Sequence, residues 1–515
     1  MGQLYWGLTG DRLHLAVATL AGLGFLLFGY DQGVMGGLLT LPTFVKTFRS
    51  IDTTSVTLSP AQKKKNSTLQ GTAVALYEIG CMIGALSCLY LGDRYGRRKV
   101  IFYGALIMIC GATLQATAYH LAHFIIGRVV TGYGNGFITA TVPTWQAECS
   151  KAHQRGKLVM IEGALITGGI CLSYWVDFGM YFAQQSSASW RFPIALQIIF
   201  ALIISLTVLS LPESPRWLIK QGRVTEAREV FSALQDSNKV DYFLVEKEIE
   251  DVQKSLALTG NSGLQDLFKM GRGRNFHRLV LGAVNQCFQQ ISGINLISFY
   301  AATIYQNYLG LSPMMSRIVA ACNGTEYFLA SWIAVYTIES YGRRKLMLLG
   351  SAGMGISMVG LAIATWAADP VSGKGSSGAA VVAAIFMFVF NSFFAIGWLG
   401  MTWLYPAEIT PLEIRAASNG ISTASNWIFN FIIVLITPIA FENIGYKTYI
   451  IFAVTNFFIF PVVYFFFPET AGRTLEEIDE IFECSGWTNV VDHSRLSAKR
   501  LRISQPQPLQ PLTSL

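Results

Sequence analysis

The sequence predicts an all-α, polytopic membrane protein with twelve transmembrane helices arranged as two six-helix bundles. The chain has 515 residues, of which 52% are hydrophobic and 13% are charged, whereas about a quarter of the residues in a soluble domain are charged. The apolar residues form runs of roughly the 20 residues that a bilayer requires. Three short motifs also occur once in each half of the chain, which indicates an internal duplication.

The three repeated motifs lie at similar distances from their copies, with offsets of 246, 260 and 256 residues. They are the charged stretches 92–99 and 339–345, which share the letters YGRRK; the pairs Glu148 with Arg155 and Glu408 with Arg415; and the stretches 212–214 and 468–470, which read Pro-Glu followed by Ser or Thr. Three agreeing offsets favour a duplicated half over coincidence.

Twelve apolar runs have the length of a membrane span. In chain order they cover residues 13–38, 69–91, 100–119, 122–146, 157–177, 191–211, 279–308, 314–338, 346–367, 379–405, 413–439 and 446–467. These runs divide the chain into five predicted parts. They are the N-terminus 1–12, a first bundle 13–211, a linker 212–278, a second bundle 279–467 and a tail 468–515.

The regions outside the spans are polar. In the linker, residues 224–234 and 245–256 carry apolar side chains at helical spacing, which predicts short amphipathic helices. Beyond Asp492 the tail combines several prolines with Gln and Ser, a composition typical of disorder.

The distribution of basic residues predicts the orientation of the chain in the membrane. Arg and Lys concentrate in the connections between spans 2–3, 4–5, 6–7, 8–9 and 10–11; the opposite side has far fewer, although residues 63–65 oppose this trend. Because cytoplasmic loops carry the excess of basic residues, we expect both termini in the cytoplasm. The sequon Asn66-Ser67-Thr68 then faces outside, which predicts glycosylation of Asn66.

Charged residues inside apolar runs mark candidate functional sites, because their burial in a bilayer is costly. Asp31 lies in the first span, and Arg128 in the fourth span is an available partner. Burial favours the protonated form of a carboxyl group, whereas a guanidinium favours the ionised form. A carboxylate that loses and regains its arginine therefore binds and releases a proton. A static ion pair is the alternative, and Glu78, Glu162 and Glu326 are competing proton carriers.

A second set of charges lies at the predicted cytoplasmic ends of the spans. We predict that ion pairs among these residues bridge helices and hold the inner side closed; the alternative is a set of solvated charges that only set the topology. The residues of this predicted cytoplasmic gate are Arg94, Glu148, Arg155, Arg343, Glu408 and Arg415.

From Gly29 to about Asp479 the residues resemble the sugar porters of the major facilitator superfamily. The motifs that carry the resemblance are GDRYGRR at 92–98 and its repeat, Gly127-Arg128 with Gly132 and Gly134, PESPRW at 212–217, QQISGIN at 289–295, PET at 468–470 and GRTLEE at 472–477. The stretches 28–35 and 398–408 are similar to fungal members. The resemblance implies a major facilitator fold and a plasma-membrane transporter that works by alternating access.

The resemblance also implies that a central cavity binds the substrate mainly through the second half. Carried over by motif, the substrate-binding candidates are Gln289, Gln290, Asn295, Asn323, Trp403, Trp427 and Asn430. Sugar hydroxyls both donate and accept hydrogen bonds, and neutral amides meet both roles. For a single amide, the alternative is a contact between helices.

Proton-coupled members of this family resemble the chain in having an aspartate at the position of Asp31, where passive uniporters have a neutral residue. The implied function is a proton-coupled symporter for a hexose, a pentose or a small polyol, and a passive uniporter and a transport-inactive nutrient sensor are the alternatives. Two positions depart from the family pattern. Gly163 replaces a substrate-binding glutamine, which puts a hexose in question, and Ala395 replaces a glutamate of animal members.

The sequence contains no nucleotide-binding loop, metal-ligand cluster or nucleophile constellation. We therefore expect no enzymatic activity, no cofactor and no metal, and transport driven by a gradient rather than by ATP. The expected partners are the sugar or polyol, a proton and the lipid bilayer, without nucleic acid. We expect the chain to be a monomer.

Overall fold

The computed structural model describes residues 4–55, 57–150, 155–235, 240–259, 264–271, 273–368, 377–411, 414–473 and 475–496. Over these residues the chain is helical and contains no β-strand. The prediction of an all-α protein with two six-helix bundles is confirmed.

The first bundle consists of six continuous helices. Spans 1 to 6 are Gly10–Leu38, Pro60–Tyr95, Arg97–Ala116, Leu121–Cys149, Arg155–Tyr181 and Ala188–Val208. In the second bundle, spans 7 and 10 are broken. Spans 7 to 12 are Asn275–Ile291 with Ile294–Thr303, Pro313–Tyr341, Arg343–Ala368, Ser377–Phe394 with Met401–Ile409, Arg415–Ile444 and Lys447–Phe466.

Among the described residues, ten of these spans are long and apolar enough to cross a bilayer on composition alone. The other two are span 4, which buries Arg128, and span 7, whose two helices have 17 and 10 residues. Both pack within their own bundles. Span 4 therefore completes the first set of six although its composition is less apolar. Span 7 completes the second set although its helix is interrupted.

Helix packing repeats between the two halves. In the first bundle, span 4 packs on spans 2 and 3, span 1 packs on span 5, and span 3 packs on span 6. Adding six to every number gives contacts that the second bundle also makes, because span 10 packs on spans 8 and 9, span 7 on span 11, and span 9 on span 12. The duplication seen in three motifs thus extends to the architecture.

The interruption of span 7 has a specific backbone cause. Gly293 adopts φ 98°, a left-handed conformation that glycine reaches at little steric cost. A Cβ atom at this position would lie 2.8 Å from a ring carbon of Phe452. Span 10 is interrupted differently, by a π-helical turn at Ala395–Leu399, a feature frequent at functional sites. Both irregular segments lie in the second half, next to its predicted binding residues.

The two halves meet along three seams. Span 2 packs on span 11, span 5 packs on span 8, and span 1 packs on the second helix of span 7. We call the end of the spans that carries the two YGRRK motifs the basic end. At the opposite end, Arg317 Nη2 donates to Thr40 Oγ1 at 2.7 Å, and Lys63 pairs with Glu442 at 3.5 Å. Both contacts join the first half to the second.

Short helices surround the two bundles. They are Pro42–Thr47, Pro215–Lys220, Val224–Leu234, Tyr242–Thr259 and Leu475–Glu483, with 3-10 turns at Leu4–Gly7, Arg49–Ile51 and Leu264–Phe268 and π-helical turns at Ile304–Tyr308 and Ala395–Leu399. The apolar faces of the linker helices are buried, as shown by Val230, Val245 and Ile249. Residues 490–496 are also helical, so order extends past Asp492, and the rest of the predicted disordered tail lies outside the described residues.

Candidate functional site

The broken span 7 brings three predicted binding residues together with a fourth on span 11. Asn295 Nδ2 donates to Gln290 Oε1 and, at 2.6 Å, to Asn430 Oδ1. Gln290 Nε2 in turn donates to Gln289 Oε1 at 3.1 Å. All four side chains are buried. The turn at Gly293 places Asn295 beside Gln290, so the break in the helix assembles this group.

Two further amides that sequence reasoning missed complete this group. Asn426 Nδ2 donates to Gln286 Oε1 at 2.7 Å and to Gln289 Oε1 at 2.8 Å, and it accepts from Gln290 at 3.0 Å. The signal was helical spacing, because Gln286 precedes Gln289 and Gln290 by three and four residues, and Asn426 precedes Asn430 by four. We call Gln286, Gln289, Gln290, Asn295, Asn426 and Asn430 the amide cluster.

Beside the amide cluster, several buried donors have no hydrogen-bond acceptor among the described residues. They are the indole N–H groups of Trp403 and Trp427 and the Nδ2 atom of Asn430. Leaving such a group unpaired costs about 1–3 kcal/mol, so an unpaired donor in a cavity is available to a ligand. Phe28 of the first half packs edge-on against both tryptophans, with ring centroids 6.4 and 5.2 Å apart.

Asn323 has a different partner from the other predicted binding residues. Its Oδ1 accepts from Asn391 Nδ2 at 2.7 Å, an amide on span 10 that the sequence did not single out. In the described part of the chain, no hydrogen bond connects Asn323 to the amide cluster. Asn323 Nδ2 and Asn391 Oδ1 are both buried and unpartnered, so this pair offers a ligand one donor and one acceptor.

The structure does not form the direct contact expected between Asp31 and Arg128, although both side chains are fully buried. Tyr77 lies between them. Its hydroxyl donates to Asp31 Oδ2 at 3.3 Å, while the guanidinium carbon of Arg128 lies 4.4 Å from its ring centroid. Within the described residues no ion pair joins Asp31 to Arg128, and Arg128 Nη2 instead donates to the carbonyl of Val74 at 3.1 Å.

The three competing carboxyls have different surroundings. Glu78 is fully buried and interacts electrostatically with both Arg128 and Asp31. Glu162 is buried beside Gly163, and its oxygens lack hydrogen-bond partners among the described residues. Glu326 accepts a hydrogen bond from Ser392 and lines a cavity of about 480 Å³ between spans 5, 8 and 10. Glu78 alone of the three lies beside the Asp31 and Arg128 pair.

At the basic end of the first half, the predicted gate residue Arg94 is not the one that binds Glu148. Arg97 donates through Nε and Nη2 to the two oxygens of Glu148 at 3.0 and 3.2 Å. Arg94 lies on the exposed end of span 2 and donates to Tyr90 Oη at 2.6 Å. The chain turns at Gly96, where φ is 83°, so Arg97 opens span 3 and points inward. Arg94 therefore makes no ion pair among the described residues, and its role in a gate stays a prediction.

The second half has an equivalent contact, between two of the predicted gate residues. Arg343 Nη2 donates to Glu408 Oε1 at 2.7 Å, and Arg343 Nη1 donates to Glu339 at 2.9 Å. The repeat itself contained the signal for the first half, since Arg343 aligns with Arg97, whereas Arg94 aligns with Ser340.

The two remaining predicted gate residues have different outcomes. Arg415 donates to the carbonyl of Thr410 at 3.2 and 3.0 Å, at the end of span 10. The Arg155 side chain lies outside the described part of the structure. The ion pairs by which Arg155 would connect spans 4 and 5, and Arg415 spans 10 and 11, remain predictions.

The third repeated motif meets the first two in each half. Glu213 accepts from the backbone N–H of Arg97 at 3.0 Å, and Glu469 accepts from that of Arg343 at 2.8 Å. Each carboxylate thus lies at the N-terminus of a helix, where negative charge is stabilised. Burial raises the pKa of Glu213, and bonds from the backbone of Ser214 and Arg98 oppose this rise.

We call each convergence a motif junction. The first consists of Arg97, Glu148 and Glu213, and the second consists of Arg343, Glu408 and Glu469.

The predicted glycosylation site lies at the opposite end. Asn66 belongs to the first turns of span 2 rather than to a free loop, and its Nδ2 donates to the carbonyl of Asp52 at 2.7 Å. A glycan on Asn66 would have to replace this bond. Modification of Asn66 stays a prediction.

Comparison with known proteins gives matches over almost the whole chain. The protein-family model described as "Sugar (and other) transporter" matches residues 17–482. The chain is 39% identical over 490 residues to the sugar transporter STL1 of Saccharomyces cerevisiae, covering 93% of this chain and 83% of that protein. It is 40% identical over 488 residues to the major facilitator superfamily transporter mfsA of Aspergillus fumigatus, covering 92% and 87%.

Two further matches bear on function. The solved structure of the proton:xylose symporter XylE, bound to 6-bromo-6-deoxy-D-glucose, is similar with a TM-score of 0.78 and 26% identity, covering 92% of this chain and all of that one. The high glucose sensor RGT2 of S. cerevisiae is 32% identical over 487 residues, which cover 92% of this chain and 61% of the sensor.

Proposed function

Because the chain belongs to the sugar transporter family of the major facilitator superfamily, we propose that it is a proton-coupled symporter. It imports a monosaccharide, either a hexose or a pentose, or a small polyol by alternating access. The observation that carries this proposal is a buried carboxyl and arginine in the first half, opposite a buried amide cluster in the second. The similar solved structure is that of a proton:xylose symporter.

The amide cluster suits a polyhydroxylated, uncharged substrate. Each amide offers both an oxygen acceptor and an N–H donor, so neighbouring hydroxyls can be bound in either sense without a trapped charge. The unpaired N–H groups of Trp403, Trp427 and Asn430 supply additional donors. The indole rings also present apolar faces, and sugars have apolar faces of their own.

The proton is carried by Asp31 in this proposal. A charge buried in the bilayer is costly, and the phenol of Tyr77 supplies the only hydrogen bond that Asp31 receives among the described residues. Protonation removes the charge, and movement of Arg128 towards or away from the carboxyl changes its readiness to hold the proton. Arg128 lies against the ring of Tyr77, whose hydroxyl bonds to Asp31, so a direct approach of Arg128 to Asp31 requires the phenol to move aside.

Alternating access corresponds to rocking of residues 13–211 against residues 279–467 in the plasma membrane. With both termini in the cytoplasm, the basic end is the inner face. The two motif junctions then form the inner ends of the bundles, and the contacts of Arg317 with Thr40 and of Lys63 with Glu442 close the outer face. Opening the outer face requires these two contacts between the halves to separate, whereas each motif junction lies within one half and persists as that half moves.

A nutrient sensor is the second candidate function, because the chain is similar to a high glucose sensor over 92% of its length. A sensor binds sugar without moving it. Uptake of labelled substrate by cells with normal surface expression distinguishes this role, since a sensor gives none. A passive uniporter gives uptake that does not respond to a protonophore.

External pH in a lightly buffered suspension of transporter-null yeast expressing the chain tests the proposal. Glucose, xylose, galactose and glycerol are added one at a time. We expect alkalinisation on addition of at least one, and its loss in Asp31→Asn, which keeps substrate exchange but no longer accumulates substrate against a gradient. Undiminished uphill transport in Asp31→Asn contradicts Asp31 as the proton carrier. Labelled uptake without any pH change contradicts symport.

A further inference from the structure

Two carboxyls, not one, accompany Arg128 in the first half. We propose that Glu78 shares the transported proton with Asp31 and transmits its presence to the amide cluster through Asn430. This inference rests on the proposed symport function and assigns to Glu78 the physical link between proton and substrate. We call Asp31, Glu78 and Arg128 the charge cluster.

The helix geometry of span 2 places Glu78 beside the arginine. Arg128 Nη2 donates to the carbonyl of Val74, which lies one helical turn before Glu78 on the same face. The Arg128 guanidinium also covers the ring of Tyr77, the residue before Glu78. Tyr77 and Glu78 therefore present Asp31 and Arg128 with a phenol and a carboxyl from the same turn of helix. Neither oxygen of Glu78 has a hydrogen bond of standard geometry among the described residues.

Counting charges shows why a single proton belongs to the pair of carboxyls. With both carboxyls ionised, the charge cluster has a net charge of −1, and with one proton on either of them it is neutral. All three side chains are fully buried, and an uncompensated charge in such a place costs several kcal/mol. The state with one proton is therefore the stable one, and the two carboxyls compete to hold it.

The other titratable groups around Glu78 do not change this count. Tyr77 and Cys81 lie on span 2 itself, and Tyr300 approaches Arg128 from span 7. The Tyr300 hydroxyl donates to the carbonyl of Val434 at 3.1 Å. Phenols and thiols are uncharged near neutral pH unless strongly perturbed, and burial favours the uncharged form. The net charge is set by the two carboxyls and the arginine.

Asn430 connects the charge cluster to the amide cluster. Its Oδ1 accepts from Asn295, whereas its Nδ2 has no hydrogen-bond acceptor among the described residues. The packing of spans 2 and 11 places Asn430 at about the level of Glu78, because Gly71 approaches Leu435 on one side of this pair and Leu89 approaches Gly420 on the other. Hydrogen bonds to an ionised acceptor are roughly twice as strong as those to a neutral one. An ionised Glu78 therefore draws the Asn430 N–H towards itself, and a protonated Glu78 leaves it free for a substrate hydroxyl. Proton and substrate thus favour each other's binding.

This contact also crosses the seam between the halves. Glu78 belongs to span 2 and Asn430 to span 11, and these two spans pack closely along their length. A bond that forms only when Glu78 is ionised resists the separation of the halves. Protonation of Glu78 breaks this bond, and the substrate then replaces Glu78 as the partner of Asn430. Spans 2 and 11 are thereby free to separate.

Glu326, a third carboxyl inside a span, lacks this arrangement. Glu326 is paired with Ser392 of span 10 within the second half, and no arginine acts on it in the described structure. The variant Glu326→Gln therefore matches Glu78→Gln in chemistry and in its location within a span, but it changes neither the charge cluster nor the amide cluster.

The test uses the full-length protein, purified and reconstituted into liposomes, with the sugar or polyol that the yeast assay identifies. Proton and substrate influx are measured together, and their ratio is compared for the wild type, Asp31→Asn, Glu78→Gln and Glu326→Gln. Substrate counterflow without a gradient reports folding and binding. Glu78→Asn serves as a second neutral replacement where Glu78→Gln shows no counterflow.

Removal of either carboxyl leaves a neutral pair with Arg128 that needs no proton. We expect a ratio of about one proton per substrate in the wild type and in Glu326→Gln, and a ratio near zero with retained counterflow in both Asp31→Asn and Glu78→Gln. A ratio that stays near one in Glu78→Gln, while Asp31→Asn is uncoupled, overturns the role of Glu78 and leaves symport intact. A wild type that moves no protons overturns the proposed function itself.

A binding measurement on the wild type tests the link through Asn430 without depending on any variant. We expect substrate affinity, followed by quenching of tryptophan fluorescence, to be about fivefold tighter at pH 5.5 than at pH 7.5, equivalent to the difference between a charged and a neutral hydrogen bond. In Glu78→Gln we expect no such change. An affinity that does not depend on pH in the wild type contradicts the link.

Discussion

The two halves of the molecule are alike at the basic end and different at the centre. At the basic end each half forms its own motif junction, and an arginine, a glutamate from the following hairpin and a Pro-Glu carboxylate occupy equivalent places. At the centre the halves have diverged, because the buried charges are in the first half and the amide cluster is in the second. The motif junctions therefore belong to the architecture that both bundles share. The buried charges and the amide cluster are the features in which the two halves differ.

Because the motif junctions are equivalent, the largest expected effect on stability is the same in both halves. Arg97→Ala and Arg343→Ala each leave a partly buried glutamate without its buried cation, which costs about 3 kcal/mol of unfolding free energy, the lower end of the range for a buried pair. Thermal unfolding in detergent measures this loss. Arg94→Ala is the matched control, because its side chain is exposed and contacts Tyr90 and Tyr95 rather than a carboxylate in the described structure, and we expect no measurable change in the melting temperature.

A large loss in Arg94→Ala, or an unchanged stability in Arg97→Ala, contradicts the assignment of Arg97 to the first junction. A loss in one half alone shows that the two junctions are not energetically equivalent.

The glycines of the two junctions give an intermediate effect. Gly96 and Gly342 have φ of 83° and 87°, and a Cβ atom would lie 2.7 and 2.5 Å from a Glu213 or Glu469 oxygen. Substitution of either glycine by alanine costs about 1–3 kcal/mol through backbone strain. Gly92→Ala is the control, because it is helical with open space around its Cβ, and we expect it to stabilise by up to about 1 kcal/mol. Equal melting temperatures for the three variants argue against strain.

The smallest effect concerns the centre and is confined to one half. Gln286→Ala and Asn426→Ala each remove a member of the amide cluster, and we expect substrate affinity to weaken about tenfold, the equivalent of one hydrogen bond. The ratio of protons to substrate stays unchanged. Gln115→Ala removes a buried amide of the first half that bonds to Thr131 at 2.6 Å, and its affinity for substrate should match the wild type. Equal losses in all three variants contradict a binding site confined to the second half.

Much of the candidate site was predictable from sequence, and the residues that the prediction missed share a cause. Gln289, Gln290, Asn295 and Asn430 were predicted and do form one hydrogen-bonded group. Gln286 and Asn426 were missed because a lone amide in an apolar run does not reveal which face of its helix it occupies. Their partners lie on another span, and only the packing of spans 7 and 11 brings them within reach.

Arg94 makes no ion pair in the described structure for a related reason. Three residues along one helix amount to a rotation of about 300°, so Arg94 and Arg97 would lie on nearly the same face if span 2 continued. The chain turns instead at Gly96, where φ is 83°, and this turn separates the two side chains. The neighbouring arginines are equivalent in composition and in their effect on topology. Only the turn, together with the place of Glu148 at the end of span 4, selects Arg97.

By itself the sequence determined the class of protein, the two bundles and the residues from which a site had to be built. These properties depend on hydropathy, span length and repeated motifs, which are local and are set by the bilayer. The tertiary structure decided which groups lie together, including Tyr77 between Asp31 and Arg128, Arg97 rather than Arg94 on Glu148, and Glu78 at the level of Asn430 on the facing span. Such contacts depend on the rotation and register of helices distant in sequence, which no local pattern encodes.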